Sequence, residues 1–402
     1  MKTNLKTTVK KLKITKGAGK QTGKVKLEVN EAGRVHLAID VHARHCVLGA
    51  MRDADGAWLG EQSCPTQAEA LSELIGGIKA GEKWLTFEEG GMSLWLCEVL
   101  RPLVDRLIVC DPRENALIGR SAKKRDDWDV RSLCRLMRLG ELREVWHSPD
   151  PVRTELLLAA EQYVELRAEV VRRKNVLKAW YRRGGVMVSD TATVYSAKGR
   201  GRWVARLAEG GSRRLGALGQ YAVLDALDLA WEQAWQRLRL LGRRCPEIAI
   251  FEQMPGVGEV GAHLFSALLG DPHRFATRQK LWRYCKLAVT DRSSDGKPLG
   301  YQRLERRGNG RLKEVSYHAW KGAVTQKSDN EVKRFYAQSL ERTGDKRHAR
   351  LNTQRKILEV LWTLWRRGEA YDAQRFSPPQ PQGIPRQTDN HEVTSTQPSA
   401  AV

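Results

Sequence analysis

The chain has 402 residues, and 69 lysines and arginines against 47 aspartates and glutamates give it a formal net charge of +22. That is too much positive charge for a generic cytosolic enzyme and indicates a polyanionic partner. No run of about 18 apolar residues occurs, and no apolar segment follows the lysine-rich start, so we expect neither a membrane span nor a secretory signal. We therefore expect a cytoplasmic protein whose partner is a nucleic acid rather than a membrane surface.

The seven cysteines are odd in number, scattered along the chain and never spaced as C-x-x-C. This pattern argues against a disulfide framework and against a zinc site. We expect reduced cysteines that belong to the core.

Both ends of the chain have the composition of disordered segments. Residues 1–26 hold nine lysines and no acid, and we place the end of this basic arm at residue 33. Residues 373–402 are rich in Pro, Gln, Ser and Thr, and form a predicted disordered tail.

Residues 34–148 alternate short apolar runs with helical spacing, which predicts an α/β domain. The predicted order βββαβαβα is that of the ribonuclease-H-like fold, in which parallel strands need helical crossovers. The predicted strands are 35–40, 46–51, 57–63, 84–88 and 106–111, and the predicted helices are 67–80, 92–103 and 126–142.

Two long charged helices, 150–183 and 216–243, with a Gly- and Arg-rich loop between them, are predicted for residues 149–248. Their three- and four-residue apolar spacing indicates a helical hairpin or coiled-coil arm, which is a dimerisation element or an ordinary helical domain. Residues 249–372 form a mainly helical third block, with predicted helices at 258–269, 277–285, 310–325, 330–343 and 346–367.

Acidic residues of the α/β domain are the main chemical signal. Asp40 lies within an apolar strand, where an unpaired charge is costly. Glu88 ends a predicted strand, and Asp126 and Asp129 share one face of a helix start. Converging carboxylates repel unless cations neutralise them, and two Mg²⁺ ions about 4 Å apart are typical of phosphodiester chemistry. Taken singly, each acid other than Asp40 is also explained as a helix cap or a surface residue.

A second glutamate, Glu89, follows Glu88, and strand alternation sends the two side chains to opposite faces. Only one of them can join Asp40. The sequence does not identify the inward face, so both stay open.

Two further signals lie in the third block. The P-G-x-G pattern with Gly256 and Gly258 is typical of a helix-hairpin-helix turn that binds a DNA phosphate, although it also fits a plain glycine turn. Ser293 and Ser294 occupy a predicted polar loop, where a serine beside cations could attack a phosphate. The candidate cations are Arg292, Arg303, Arg306 and Arg307.

Six motifs follow one another in the order of a known family. They are AIDVH (38–42), FEEGG (87–91), VCDPREN (109–115), KKRDDWD (123–129), PGVG (255–258) and RSSDGKPLGYQRLERRGN (292–309). Together they resemble the DEDD transposases of the insertion-sequence one-hundred-and-ten family, which includes Piv-type DNA invertases. The similarity covers about residues 34–372.

This resemblance implies a RuvC-like N-terminal domain, a helical arm and a C-terminal transposase domain with a nucleophilic serine. The acidic set of the family falls on Asp40, Glu88, Asp126 and Asp129, which would hold Mg²⁺, with two ions per site. The serine falls on Ser294, 14 residues before the glycine of the R-x-G-N pattern.

Four departures from the family pattern bear on these assignments. Arg125 and Val130 replace a threonine and an alanine around the last two acids, and the doubled glutamate keeps Glu89 open. Asp295 separates Ser294 from the following glycine, which keeps Ser293 open.

In function, the resemblance implies a bacterial recombinase, associated with the nucleoid, that excises and inserts a circular element. Its implied partners are double-stranded DNA, a structured guide RNA from the end of the element and further copies of the chain. Two rivals are a RuvC-like structure-specific endonuclease that uses water and a non-enzymatic DNA- or RNA-binding protein.

Overall fold

The computed structural model describes residues 27–114, 126–294 and 297–376, and for residues 126–129 and 291–302 the description is confined to the backbone. The chain divides into two compact units, one up to Pro149 and one from Asp150. No helix in these ranges is both long and apolar enough to cross a membrane.

A mixed five-stranded sheet forms the first unit. Its elements are β1 (Asn30–Val41), β2 (His45–Arg52), β3 (Trp58–Pro65), α1 (Ala68–Gly76), β4 (Lys79–Glu88), α2 (Ser93–Leu100), β5 (Arg106–Cys110) and α3 (Asp126–Arg138). The order across the sheet is β3-β2-β1-β4-β5. β1 pairs antiparallel with β2 and parallel with β4, and β5 continues the parallel part. The α/β prediction is confirmed, and the arrangement is consistent with a ribonuclease-H-like domain.

Several boundaries of this unit differ from the predicted ones, and two of these differences follow from packing and backbone preference. The predicted helix 67–80 ends at Gly76, because the Gly76-Gly77 pair is a poor helix former and β4 already begins at Lys79. β1 begins at Asn30, inside the range predicted as a disordered arm, and Leu27 and Val29 are buried in the core. Residues 1–26 of that arm lie outside the described residues.

Strand alternation gives the sheet two different apolar faces. Leu37 and Ile39 of β1 belong to a core with α1 and α2. Ala38, which lies between them, belongs to a smaller core with Val130 and Cys134 of α3. The side of the sheet that α3 covers is called the α3 face below.

Two long antiparallel helices begin the second unit. Its first elements are α4 (Pro151–Arg183), α5 (Thr191–Tyr195), α6 (Arg200–Val204) and α7 (Ser212–Gly242). The predicted loop between the long helices therefore contains two short helices. They pack on the far ends of α4 and α7 in a core of their own, where Tyr181 donates a hydrogen bond to the Tyr221 hydroxyl (3.0 Å) and Tyr221 donates to the Val194 carbonyl (2.7 Å).

The remainder of the second unit is helical apart from one β-hairpin. Its elements are α8 (Glu247–Phe251), α9 (Glu259–Leu269), α10 (Arg278–Tyr284), β6 (Val289–Ser294), β7 (Lys297–Leu304), α11 (Gly310–Thr325), α12 (Glu331–Thr343) and α13 (Lys346–Arg367). The hairpin stands where the sequence predicted a polar loop. Residues 373–376 of the predicted tail form a helical turn with Phe376 buried, and 377–402 lie outside the described residues.

All seven cysteines are buried and unpaired, as their spacing predicts. Burial raises the pKa of the Cys285 thiol to about 12 and contributes most to raising that of Cys97 to about 11. Thiols that stay protonated in this way are core residues and poor nucleophiles.

A buried ion pair joins three helices of the second unit. Arg153 of α4 lies 2.5 Å from a carboxylate oxygen of Glu247 in α8, and their side chains are only 18% and 5% exposed. The Ser266 hydroxyl of α9 donates to the same carboxylate. These charges are costly to bury, so each depends on its partner.

Arg153→Met should therefore destabilise the protein by about 3 kcal/mol, because it leaves the Glu247 carboxylate buried without a counter-charge. Arg237→Met is the matched control, since Arg237 makes an exposed α4–α7 ion pair with Glu155 at 2.7 Å. Its loss should cost less than about 1 kcal/mol. Chemical denaturation of both variants measures the difference, and equal losses would contradict the role of burial.

Candidate functional site

Asp40 and Glu88 lie side by side on the α3 face. Ile39 of β1 is the register partner of Phe87 in β4, and both belong to the core on the opposite side of the sheet. The next residue of each strand, Asp40 and Glu88, is therefore turned to the α3 face. Both stand at the carboxyl ends of parallel strands, where ligands bind in open α/β sheets.

Asp40 is the penultimate residue of β1 and lies close to the strand end, not in the middle of the apolar strand. Its side chain is 23% exposed, and His42 Nε2 lies 3.0 Å from its Oδ2 without the alignment of a hydrogen bond. The carboxylate is thus accessible rather than sealed in the core.

Glu89 has a different environment from Glu88. Its carboxylate lies 2.7 Å from Nε2 of His147, whose side chain is 11% exposed. Its backbone N–H donates to the carbonyl of Cys110 at 2.9 Å. Glu89 thus has a local structural role, and the geometry favours Glu88 as the partner of Asp40.

Asp126 and Asp129 occupy the first turn of α3, and the next residue, Val130, is buried against the α3 face. The side chains of Asp126 and Asp129 are not described, so their position relative to Asp40 is not part of the structure. Among the described side chains, no group of three or more histidines, cysteines, aspartates or glutamates is arranged to hold a metal ion. The predicted Mg²⁺ site stays a prediction.

Ser293 and Ser294 end strand β6 and are not in a loop. Ser294 is the register partner of Lys297, and Ser293 is that of Pro298. The two serines are consecutive strand residues close to the hairpin tip, and the description of both, as of Arg292, is confined to the backbone.

Arg303, Arg306 and Arg307 are exposed at the other end of the hairpin. The Glu305 carboxylate accepts hydrogen bonds from the backbone N–H groups of Arg306 (2.9 Å) and Arg307 (3.1 Å). Those backbone hydrogen bonds, that of Arg307 above all, lower the pKa of Glu305. Glu305 thus fixes the turn that presents the arginines.

The glycine of the R-x-G-N pattern has a packing role. Gly308 has a φ of +113°, and a Cβ there would lie 2.2 Å from the Tyr284 carbonyl oxygen. The Asn309 side chain caps α11 by accepting from the N–H groups of Arg311 and Leu312. This pattern therefore joins the hairpin to α11.

The P-G-x-G turn connects α8 to α9, and its two glycines differ. Gly256 has a φ of +83°, and a Cβ there would lie 2.1 Å from the Ala319 carbonyl oxygen of α11, which accounts for this glycine by packing alone. Gly258 is exposed at the start of α9, with nothing within 4 Å of a Cβ. A cavity of about 480 Å³ opens beside the turn, and its lining includes Tyr163, Trp231 and Arg311.

Three cations that the sequence did not single out lie beside the root of the hairpin. They are Lys286, which precedes β6, Lys313 of α11 and Arg350 of α13. Their charges act on one another, and the charges of Arg350 and Lys286 reinforce burial in lowering the pKa of Lys313. Because these three residues lie far apart in the sequence, no local sequence pattern could have identified them as a group.

Gly256→Ala should destabilise the protein by about 3 kcal/mol, because the new Cβ meets the α11 backbone in a left-handed conformation. Gly261→Ala is the control, since a Cβ there makes only an ordinary contact of 3.7 Å in α9. Thermal unfolding should show a clear loss for the first variant and none for the second. A stable Gly256→Ala protein would contradict the packing role.

In a comparison with protein-family models, residues 248–337 match a model described as the Transposase IS116/IS110/IS902 family. A search of curated proteins finds no match. The matched range contains the P-G-x-G turn, the hairpin with its serine pair and the capped start of α11. It therefore contains the candidate functional features of the second unit. The match covers less than half of the chain, and over that range it supports a transposase of the IS116/IS110/IS902 family.

Proposed function

We propose that this transposase excises and inserts its element by Mg²⁺-dependent strand cleavage with Ser294 as the nucleophile. Transposition and DNA binding follow from the family. The observation that carries the finer proposal is the placement of Asp40 and Glu88 on one face at the carboxyl ends of two paired strands. That placement supports a shared role for these two acids.

The two described carboxylates fit the preference of Mg²⁺ for hard oxygen ligands, and both are accessible. Asp40, Glu88, Asp126 and Asp129 would hold the metal ions. Bound Mg²⁺ would supply charge stabilisation at the phosphate under attack. The carboxylates themselves would keep these ions at the carboxyl edge of the sheet.

Ser294 would attack the phosphorus of the scissile phosphodiester. A bond forms between its Oγ and phosphorus, the bond from phosphorus to the leaving sugar oxygen breaks, and the serine proton ends on that oxygen. The phosphoserine link conserves the phosphodiester energy, so rejoining needs no nucleotide cofactor. Arg292, Arg303, Arg306 and Arg307 would neutralise the developing charge.

The partners in this proposal are double-stranded DNA, a structured guide RNA and further copies of the chain. The net charge of +22 supports a polyanionic partner. The guide RNA and the homo-oligomer rest on the resemblance alone. The exposed start of α9 at Gly258 would contribute backbone N–H groups to a phosphate.

Glu88→Gln should abolish strand cleavage, whereas Glu89→Gln should retain most of it. The reason is that Glu88 shares a face with Asp40, while Glu89 pairs with His147. Cleavage of a labelled duplex that carries the joined element ends measures both variants, with the adjacent RNA added. Loss of cleavage in Glu89→Gln alone would overturn the assignment.

Ser294→Ala should form no covalent protein–DNA adduct, and Ser293→Ala should still form it. The adduct is detected as labelled DNA that migrates with the protein on a denaturing gel. Cleavage without any adduct in the wild-type protein would instead favour the RuvC-like endonuclease. Absence of Mg²⁺-dependent cleavage under all conditions would favour a non-enzymatic binding protein.

A further inference from the structure

Lys286, Lys313 and Arg350, called the cation cluster here, lie along α11: Lys313 belongs to that helix, Lys286 lies at its start and Arg350 lies beside its middle. The Lys286 ammonium lies 3.8 Å from where a Cβ would stand on Gly310, the first residue of α11. Lys313 is the fourth residue of that helix. The Arg350 guanidinium lies over the rings of Tyr317 (5.7 Å) and Trp320 (5.9 Å).

The cluster has no counter-charge among the described residues. No carboxylate lies within ion-pair distance of any of its three members, whereas Arg283 nearby has Glu305 at 3.6 Å. Burial lowers the pKa of Lys313 most, and the charges of Arg350 and Lys286 lower it further. The start of α11 adds the positive end of a helix dipole. The free protein therefore holds like charges together at a cost.

Buried contacts hold this arrangement in place. Gln354 of α13 is 2% exposed and donates to the Lys313 carbonyl (3.2 Å) and to the Ser316 hydroxyl (3.1 Å). Arg355 donates to the Leu287 carbonyl at 2.8 Å. The backbone of Lys286 has a φ of +55°, which is uncommon for a residue other than glycine. Stacking on aromatic rings explains Arg350, but it does not explain two lysines beside it.

We propose that the cation cluster binds a backbone phosphate of the nucleic acid that the transposase handles, at the root of the β6–β7 hairpin. A phosphate supplies the missing negative charge and suits both lysine and arginine donors. The Glu305 N–H donates to the Ala288 carbonyl at 2.9 Å, so both ends of the hairpin meet beside the cluster. A phosphate held there would anchor the nucleic-acid strand about 20 Å from the end of β6. That distance is the length of a six-residue β-strand.

This inference rests on the proposed function only for its ligand, which is a polynucleotide. DNA and RNA share the phosphate, and separate titrations with a DNA duplex and with the structured RNA distinguish them. Neither titration requires cleavage. If Ser294 were not the nucleophile, the phosphate site could therefore still be tested.

The test is Lys313→Met in the full chain, with Lys321→Met as the matched control on the exposed side of the same helix. Both exchange one good helix former for another. Removing the Lys313 charge should raise the melting temperature of the free protein, because it relieves repulsion. It should also weaken binding about fivefold at 0.15 M salt and reduce the slope of log affinity against log salt by about 0.9 for duplex DNA.

Inorganic phosphate is the second probe. It should raise the melting temperature of the wild-type protein and of Lys321→Met more than that of Lys313→Met. Lys286→Asn repeats the test with a residue that tolerates positive φ. A loss of affinity for DNA, for RNA or for both supports the site and shows which nucleic acid binds there. A lower melting temperature with unchanged salt slopes in both variants would overturn it.

Discussion

Parallel pairing between β1 and β4 determines which side chains share the α3 face. Ile39 and Phe87 are opposite each other and almost completely buried, which fixes the register of the two strands. A slip by one residue would bring Glu89 to the α3 face and turn Glu88 away. The burial of two apolar side chains thus decides which acid stands beside Asp40, although neither of them takes part in chemistry.

The α/β pattern could be predicted from the sequence because apolar runs and helical spacing alternate in the first unit. The sequence could not show which residues of β4 point to the α3 face, because that depends on whether α3 or the α1–α2 pair covers each side chain. Asp40 stands out in the sequence as a charge in an apolar run. The predicted strand 35–40 already ends at Asp40, and in the structure β1 continues by one residue, to Val41. The partnership of Glu89 with His147 joins residues that no local pattern connects.

In the second unit, prediction from the sequence failed for a different reason. The Asp295-Gly296 dipeptide is a strong hairpin signal and could have located β6 and β7. The polar composition of the segment instead suggested a loop. The glycines of the P-G-x-G and R-x-G-N motifs could be interpreted from the sequence as functional residues. In the structure, Gly256 and Gly308 are required because another backbone segment lies too close for a Cβ. The cation cluster is assembled from three elements, so only the packing of α13 on α11 and on Leu287 brings it together.

The long helices α4 and α7 take part in two separate cores. Their near ends belong to the large core of the C-terminal helices, and their far ends belong to the small core around Tyr181, Trp203 and Tyr221. Segments with separate cores open as separate cooperative units. Backbone amides at the far end of the arm will therefore exchange with solvent as a group, at a lower free energy than those beside the Arg153–Glu247 pair. The arm can loosen and refold at its far end while the C-terminal helices stay intact.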